Sequence, residues 1–152
     1  MNRPLVIAEW RRAVDSLGAA RSCRRDGFYA DSVSRAYYAI LHAAKAALQL
    51  QGITAESHAA VKRLFGLHLI QIGLVEPEWG TFAGESLDLR LTADYDVETP
   101  FSEEDACEEC ERATAFLNRI REFLFAGGFS SEELRSQALD GQSRSHVTED
   151  PS

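Results

Sequence analysis

The sequence predicts an all-α fold, an antiparallel bundle of four to five helices, and three observations carry that expectation. The stretch Ser32–Leu48 contains six Ala and no Gly or Pro, a composition that favours helix when summed over such a window. Apolar residues recur at three- and four-residue steps along most of the chain, which stacks them on one stripe per helix. No segment alternates apolar and polar residues for more than a few positions, and the connections are short, as in bundles with antiparallel neighbours. At 152 residues the chain is expected to form one domain with a sizeable core.

The first helix is expected from about Leu5 to Arg24, with Trp10, Ala13, Val14, Leu17 and Ala20 as its apolar stripe. Glu9 near its start and Arg21, Arg24 and Arg25 at its end complement the helix dipole. Asp26-Gly27 breaks it. The second helix runs from near Phe28 to about Gln51, where Gly52 ends it. Val33, Tyr37, Ile40, Leu41, Ala44 and Leu48 form its buried stripe, and the small Ala residues let neighbours approach closely. This is the expected central helix, half core and half polar site.

Ser57 is placed to cap a third helix carrying Val61, Leu64, Phe65, His68 and Ile72 at helical spacing. His68 falls on that apolar stripe and reads as a core-edge histidine. Gly73 closes the helix, and Pro77 suits the first turn of the fourth, expected over Pro77–Tyr95. Residues 96–100 read as a linker. Ser102 and Asp105 then form a capping box for a fifth helix, in which Ala106, Cys110, Ala113, Leu117, Ile120 and Leu124 make a bundle-type seam up to Gly127-Gly128. The bundle is assigned to residues 1–128. Residues 129–152 are expected to be a tail, disordered or with one short helix around Ser130–Arg135.

Net charge is −8, unevenly spread. Residues 1–75 hold ten Lys/Arg against five Asp/Glu, whereas residues 76–152 hold six against nineteen. A basic first half suits an anion and an acidic second half repels a polyanion. The apolar runs fall short of a membrane span, so a cytoplasmic protein is expected. Cys107 and Cys110 stand three apart with no second Cys or His pair nearby. They read as reduced thiols; no metal site and no cofactor are expected.

Candidate site residues lie on the second and fourth helices. Arg35, Tyr38 and His42 occupy the polar side of the second, Tyr38 one turn before His42, while Tyr37 reads as core aromatic. Arg90 and Asp94 share a face of the fourth. They form either an intrahelical ion pair worth about 0.2–0.5 kcal/mol or a unit in which Asp94 orients Arg90 toward a cleft shared with Arg35. His42 and His58 approach each other if the second and third helices pack antiparallel.

Three stretches taken together carry a resemblance. Ser34-Arg-Ala-Tyr-Tyr-Ala-Ile-Leu-His-Ala-Ala44, then Ser57-His58 opening the next helix, then Arg90-Leu-Thr-Ala-Asp-Tyr95 before a Glu-rich helix, resemble a HEPN domain (higher eukaryotes and prokaryotes nucleotide-binding) of the small, stand-alone prokaryotic branch. The likeness covers roughly Leu5 to Phe125. It implies a helical bundle, a homodimer, and a partner in the form of a minimal nucleotidyltransferase within a toxin–antitoxin-type or nucleotide-handling pair. It further implies that active members are metal-independent RNases with an Arg followed, after four to six residues, by a His. Here Arg90 matches the Arg, but Tyr95 stands where the His would, and no His occurs between residues 69 and 145. A phenol with an ordinary pKa of ~10 is a poor base near neutral pH, where imidazole serves. The resemblance also makes Tyr95 a candidate acceptor of a nucleotide from the partner.

Two readings follow. The first is a non-catalytic binding and regulatory module that holds a nucleotide, RNA or partner through Arg35, Tyr38, His42, Arg90, Asp94 and Tyr95. The alternative is an atypical RNase that uses Arg90 with a His from elsewhere. The missing His and the acidic second half favour the first.

Overall fold

Asn2 starts the chain's first helix by accepting the Leu5 amide on its side chain, at 3.2 Å, and Pro4 sits in the first turn, where its missing N–H costs nothing. In the computed structural model, which describes residues 1–98 and 100–135, α1 therefore spans Arg3–Arg25, two residues earlier than the apolar pattern alone predicts. Gly27, at φ 86°, turns the chain in a conformation that disfavours a side chain. Then follow α2 (Tyr29–Leu50), α3 (His58–Phe65), α4 (Pro77–Tyr95), α5 (Glu103–Ala126) and α6 (Ser131–Leu134). No strand occurs among the described residues, and the fold is all-α as expected.

The α2 helix is central. It packs against α1, α4 and α5, and Ala36, Ala39, Ala43, Ala46 and Ala47 are all fully buried. Five methyl-sized side chains at these contacts bring three other helices close. Trp10, Leu17, Leu48, Leu117 and Ile120 belong to the same buried cluster, and Phe116 of α5 packs against Phe65 of α3 and Trp79 of α4, with ring centres 5.8 and 6.1 Å away. The predicted capping box forms at the start of α5, with Ser102 Oγ accepting from Asp105 N (3.1 Å) and Asp105 Oδ2 from Ser102 N (2.9 Å).

One stripe departs from its expected phase. After Phe65 the chain makes a π turn over Gly66–Ile70, with the Gln71 amide bonded five residues back to the Gly66 carbonyl (2.9 Å). The extra residue advances the inward face by one position. Leu69 is buried as a result, while His68 and Ile72 are exposed. His68 is thus not a core-edge histidine. On α4 the fully buried residue is Ser86; its hydroxyl donates to the buried Glu109 carboxylate on α5 at 3.2 Å. Burial raises the Glu109 pKa, against the opposing pull of Arg112 and the Ser86 hydrogen bond.

Beyond α5, Phe129 and Leu134 are buried, and α6 is fastened to α1. The Trp10 indole donates to the Leu134 carbonyl at 3.0 Å, and Arg3 pairs with Glu133 at 2.8 Å. The expectations for Thr99 and for residues 136–152 lie outside the described residues. Trp10→Phe is expected to leave that carbonyl unpaired in a buried place, at a cost of about 1–3 kcal/mol. A lowered melting temperature together with faster amide exchange in α6 checks it. Unchanged exchange there would mean that the indole bond does not hold α6. Among the described residues, no helix is long and apolar enough to cross a membrane.

Candidate functional site

Adjacent tyrosines on α2 start the site. Successive residues on a helix diverge by about 100°, so Tyr37 enters the core while Tyr38 stays half-buried beside it. The Tyr37 hydroxyl lies 2.9 Å from Nδ1 of His58, the first residue of α3 after its Ser57 cap. The two rings and Tyr38 cluster with centroids 5.5–6.1 Å apart. From α4, Arg90 reaches over them. Its Nη2 donates to the Tyr38 hydroxyl at 3.0 Å, and its Cζ lies 5.6 and 5.5 Å from the Tyr37 and Tyr38 ring centres. Asp94 Oδ2 stands 2.8 Å from Arg90 Nε but off the N–H axis, so that contact is an ion pair rather than a directed hydrogen bond.

The electrostatics follow from burial and from Arg90. Burial pushes the Tyr37 phenol up to about 12, with the Arg90 charge opposing and Tyr38 adding to the rise. Burial also lowers the His58 pKa, and the positive charges of Arg90, Lys45 and His42 lower it further. For Arg90 burial works against the charge, but the Tyr38 hydrogen bond and the nearby Tyr38, Asp94 and Tyr95 more than offset it.

The 2.9 Å contact fits a Tyr37 hydroxyl that donates to His58. Tyr37 keeps its hydrogen at any ordinary pH, and a buried hydroxyl must donate it somewhere. His58 Nδ1 is its partner. In the neutral imidazole the other nitrogen, Nε2, then carries the ring hydrogen and acts as a donor. In that arrangement His58 Nε2 is a hydrogen-bond donor; with the ring hydrogen on Nδ1 instead, the same contact has His58 donating to the Tyr37 oxygen.

His58 is expected to titrate below the ordinary ~6.5, and Arg90→Ala to move its midpoint upward by removing a positive neighbour. An NMR titration of the imidazole resonances checks both. Because the folded value lies below the unfolded one, the associated stability is present above ~6.5 and is lost as pH falls through the folded midpoint. A midpoint at or above 6.5 would contradict the lowered pKa.

Beside this cluster an open groove of about 1010 Å³ runs between α3 and α4. Its polar lining is His58, Lys62, Arg63, Gln71 and Arg90, with Leu67, Leu87 and Leu91 between them. Among the described residues no carboxylate lines it, in a chain of net charge −8.

The predicted site residues separate into groups. Tyr38, Arg90 and Asp94 come together as expected. His42 instead joins a second polar cluster: its Nδ1 lies 2.7 Å from Glu9 Oε2 of α1, and Lys45 Nζ lies 3.4 Å from Glu9 Oε1. Burial works against the Glu9 charge, but His42 and Lys45 hold its pKa below the usual range. Arg35 is exposed and has no ion pair or hydrogen bond among the described residues. Tyr95 is 74% exposed at the end of α4. Besides Arg63 and Gln71, the predicted site left out two groove residues one turn apart on α3, His58 and Lys62. Their signal was the Ser57 cap, which sets His58 and Lys62 four apart on one face of α3.

The site is thus a cationic groove beside paired tyrosines on an all-α bundle. A family model described as the HEPN domain matches residues 7–123. The chain belongs to the HEPN family. It is 38% identical over 112 residues to a protein of Methanocaldococcus jannaschii named "Putative toxin MJ0605", covering 74% of this chain and 83% of that one. It is 32% identical over 114 residues to a "UPF0332 protein" of Gloeobacter violaceus, covering 74% and 90%. Over 79 residues it is 42% identical to a "UPF0332 protein" of Pyrococcus horikoshii, covering 51% and 56%.

Proposed function

We propose that this protein is a non-catalytic HEPN module that grips nucleotide or RNA phosphate through Arg90 and serves as the partner subunit of a minimal nucleotidyltransferase. The single observation carrying the reading is the α3–α4 groove, whose ionisable lining is entirely cationic or donor in character. Arg90 uses one Nη2 hydrogen on Tyr38 and sets Nε against Asp94, which leaves other guanidinium hydrogens for a phosphate in two-pronged geometry. Lys62 and Arg63 add point charge, and His58 adds a directed donor. Tyr38 and Asp94 position Arg90. Tyr95, being exposed, is open to modification by the partner. Two copies pairing as a homodimer belong to the same reading, and the name of the Methanocaldococcus relative supports a toxin-type role.

A second reading, an atypical RNase, gains from one observation: His58 is a histidine from elsewhere that lines the groove with Arg90. Cleavage would need Nε2 free of its hydrogen to take the 2′-hydroxyl proton. A Tyr37 hydroxyl that donates to Nδ1 opposes that tautomer. The test is wild type, Arg90→Ala and His58→Gln on labelled RNA. The binding module retains RNA weakly, more so at low salt, and leaves it intact. Efficient cleavage that disappears in both variants would replace the module by the enzyme.

A further inference from the structure

Leucines are exposed along the α3–α4 groove, where cations stand unpaired. Leu67 is 40% and Leu91 42% exposed, and Leu87, one turn before Leu91, lies on the same face of α4. Beside them Lys62 and Arg63 are exposed and have no ion pair or hydrogen bond among the described residues. The chain holds 24 Asp and Glu against 16 Lys and Arg, so acidic partners are in ample supply. Glu85 and Asp88 line the neighbouring pocket between α2, α3 and α4, but neither lines the groove, and Glu85 is paired with Arg112 at 2.6 Å. Part of the groove wall, Gly66 and Leu67, belongs to the π turn, a rare form that recurs at functional sites.

An apolar strip rimmed by charge of one sign complements a helix with an apolar stripe and carboxylates on its flanks. We infer that the α3–α4 groove docks an acidic amphipathic helix of a partner protein, its stripe on Leu67, Leu87 and Leu91 and its carboxylates on Lys62, Arg63 and Arg90. This rests on the partner role proposed above and names the element that docks. The wall from His58 to Ile70 is about 20 Å long, room for about four helical turns. Tyr38 and Asp94 already aim Arg90, so its remaining guanidinium hydrogens can grip a carboxylate in the two-pronged manner open to a phosphate. The docked helix thereby closes the groove to phosphate, which makes the partner a regulator of that site. This chain's own segments match the groove poorly. Residues 136–152 hold two large aliphatic residues, Leu139 and Val147, with Gly141 between them. The acidic start of α5, residues 103–112, contains no large apolar residue, so a second copy offers carboxylates there without a stripe.

The test is calorimetric titration with three synthetic helices of about four turns and with inorganic tripolyphosphate. The first helix carries Leu at i, i+4, i+7 and i+11 with Glu on its flanks; the second replaces those Leu by Ala, and the third replaces the Glu by Lys. The proteins are wild type, Leu67→Ser/Leu91→Ser, Lys62→Glu/Arg63→Glu and Arg90→Ala, with melting curves for each. Wild type is expected to bind the acidic Leu helix about tenfold or more tighter than either other helix, and excess tripolyphosphate should displace it. Leu67→Ser/Leu91→Ser should weaken that helix by about tenfold and leave tripolyphosphate within about twofold. Both leucines are exposed, so this variant should stay folded. Lys62→Glu/Arg63→Glu should weaken both ligands. Equal affinity for the two acidic helices, no binding of either, or unchanged binding by the folded leucine variant would overturn the docking site. A wild type that sediments as a dimer, beside a leucine variant that sediments as a monomer, would give this face to a second copy and overturn it as well. Tripolyphosphate binding that depends on Arg90 tests the phosphate grip separately, so the grip and the docking site can fail one without the other.

Discussion

Ala43→Asp is expected to unfold the domain. Ala43 lies on α2 and is fully buried in the cluster shared by α1, α2 and α5. The replacement adds volume where helices already touch, which costs about 1–3 kcal/mol. It also strands a carboxylate, whose uncompensated burial costs several kcal/mol more. A domain of this kind has only about 5–15 kcal/mol in hand. Far-ultraviolet circular dichroism should show lost helicity and no cooperative melt. Ala43→Gly, costing about 1 kcal/mol in propensity, should stay folded. The choice of position matters. Ile40 is nearly as well hidden, but its side chain lines a partly open pocket between α2, α3 and α4, where a carboxylate can meet water. An Ala43→Asp protein that melts like its parent would mean that α2 turns another face inward.

The second large effect is at Arg90. Removing its side chain deletes charge-assisted hydrogen bonds worth about 1.5–3 kcal/mol, a loss of roughly ten- to hundredfold in affinity for a bound phosphate. Arg90→Lys keeps the charge but loses the fork and, with it, the simultaneous hold on Tyr38 and a phosphate. It should recover only a small part of the binding. Arg90 is less exposed than an ordinary helix-surface arginine, with 14% of its side chain accessible. Arg90→Ala therefore also strips Tyr38 of a hydrogen bond and should lower stability by about 1 kcal/mol. The bundle remains, because α1, α2 and α5 make the core without it.

The bundle was legible because Ala spacing on α2 and the stripes of α1 and α5 are simple periodic signals. The stripe that begins on α3 fails only where periodicity itself changes, at the π turn that swaps His68 and Ile72 for Leu69. Nothing in Gly66-Leu-His-Leu-Ile70 announces an extra residue in a turn. On the functional side, Arg90 and Asp94 were legible because both lie on one helix at a known spacing. Tyr38 followed from its position on the polar side of α2. His42 was assigned to the same site, yet it meets Glu9, because partner choice across helices depends on their rotation, which periodicity leaves open. Tyr37 and His58 illustrate the converse. A buried tyrosine and a helix-opening histidine each read as structural alone; their meaning comes from the 2.9 Å contact between them.

On the proposed reading, a cationic groove organised by Arg90 recognises phosphate without cutting RNA. Equilibrium binding of ATP to wild type and Arg90→Ala, at low and at physiological salt, tests it most directly, with melting curves recorded for both proteins. Salt-sensitive binding by wild type is expected, with a loss of tenfold or more in a variant that still melts cooperatively. Binding of equal strength by a folded Arg90→Ala protein would contradict it, and would reduce the groove to a solvated basic surface.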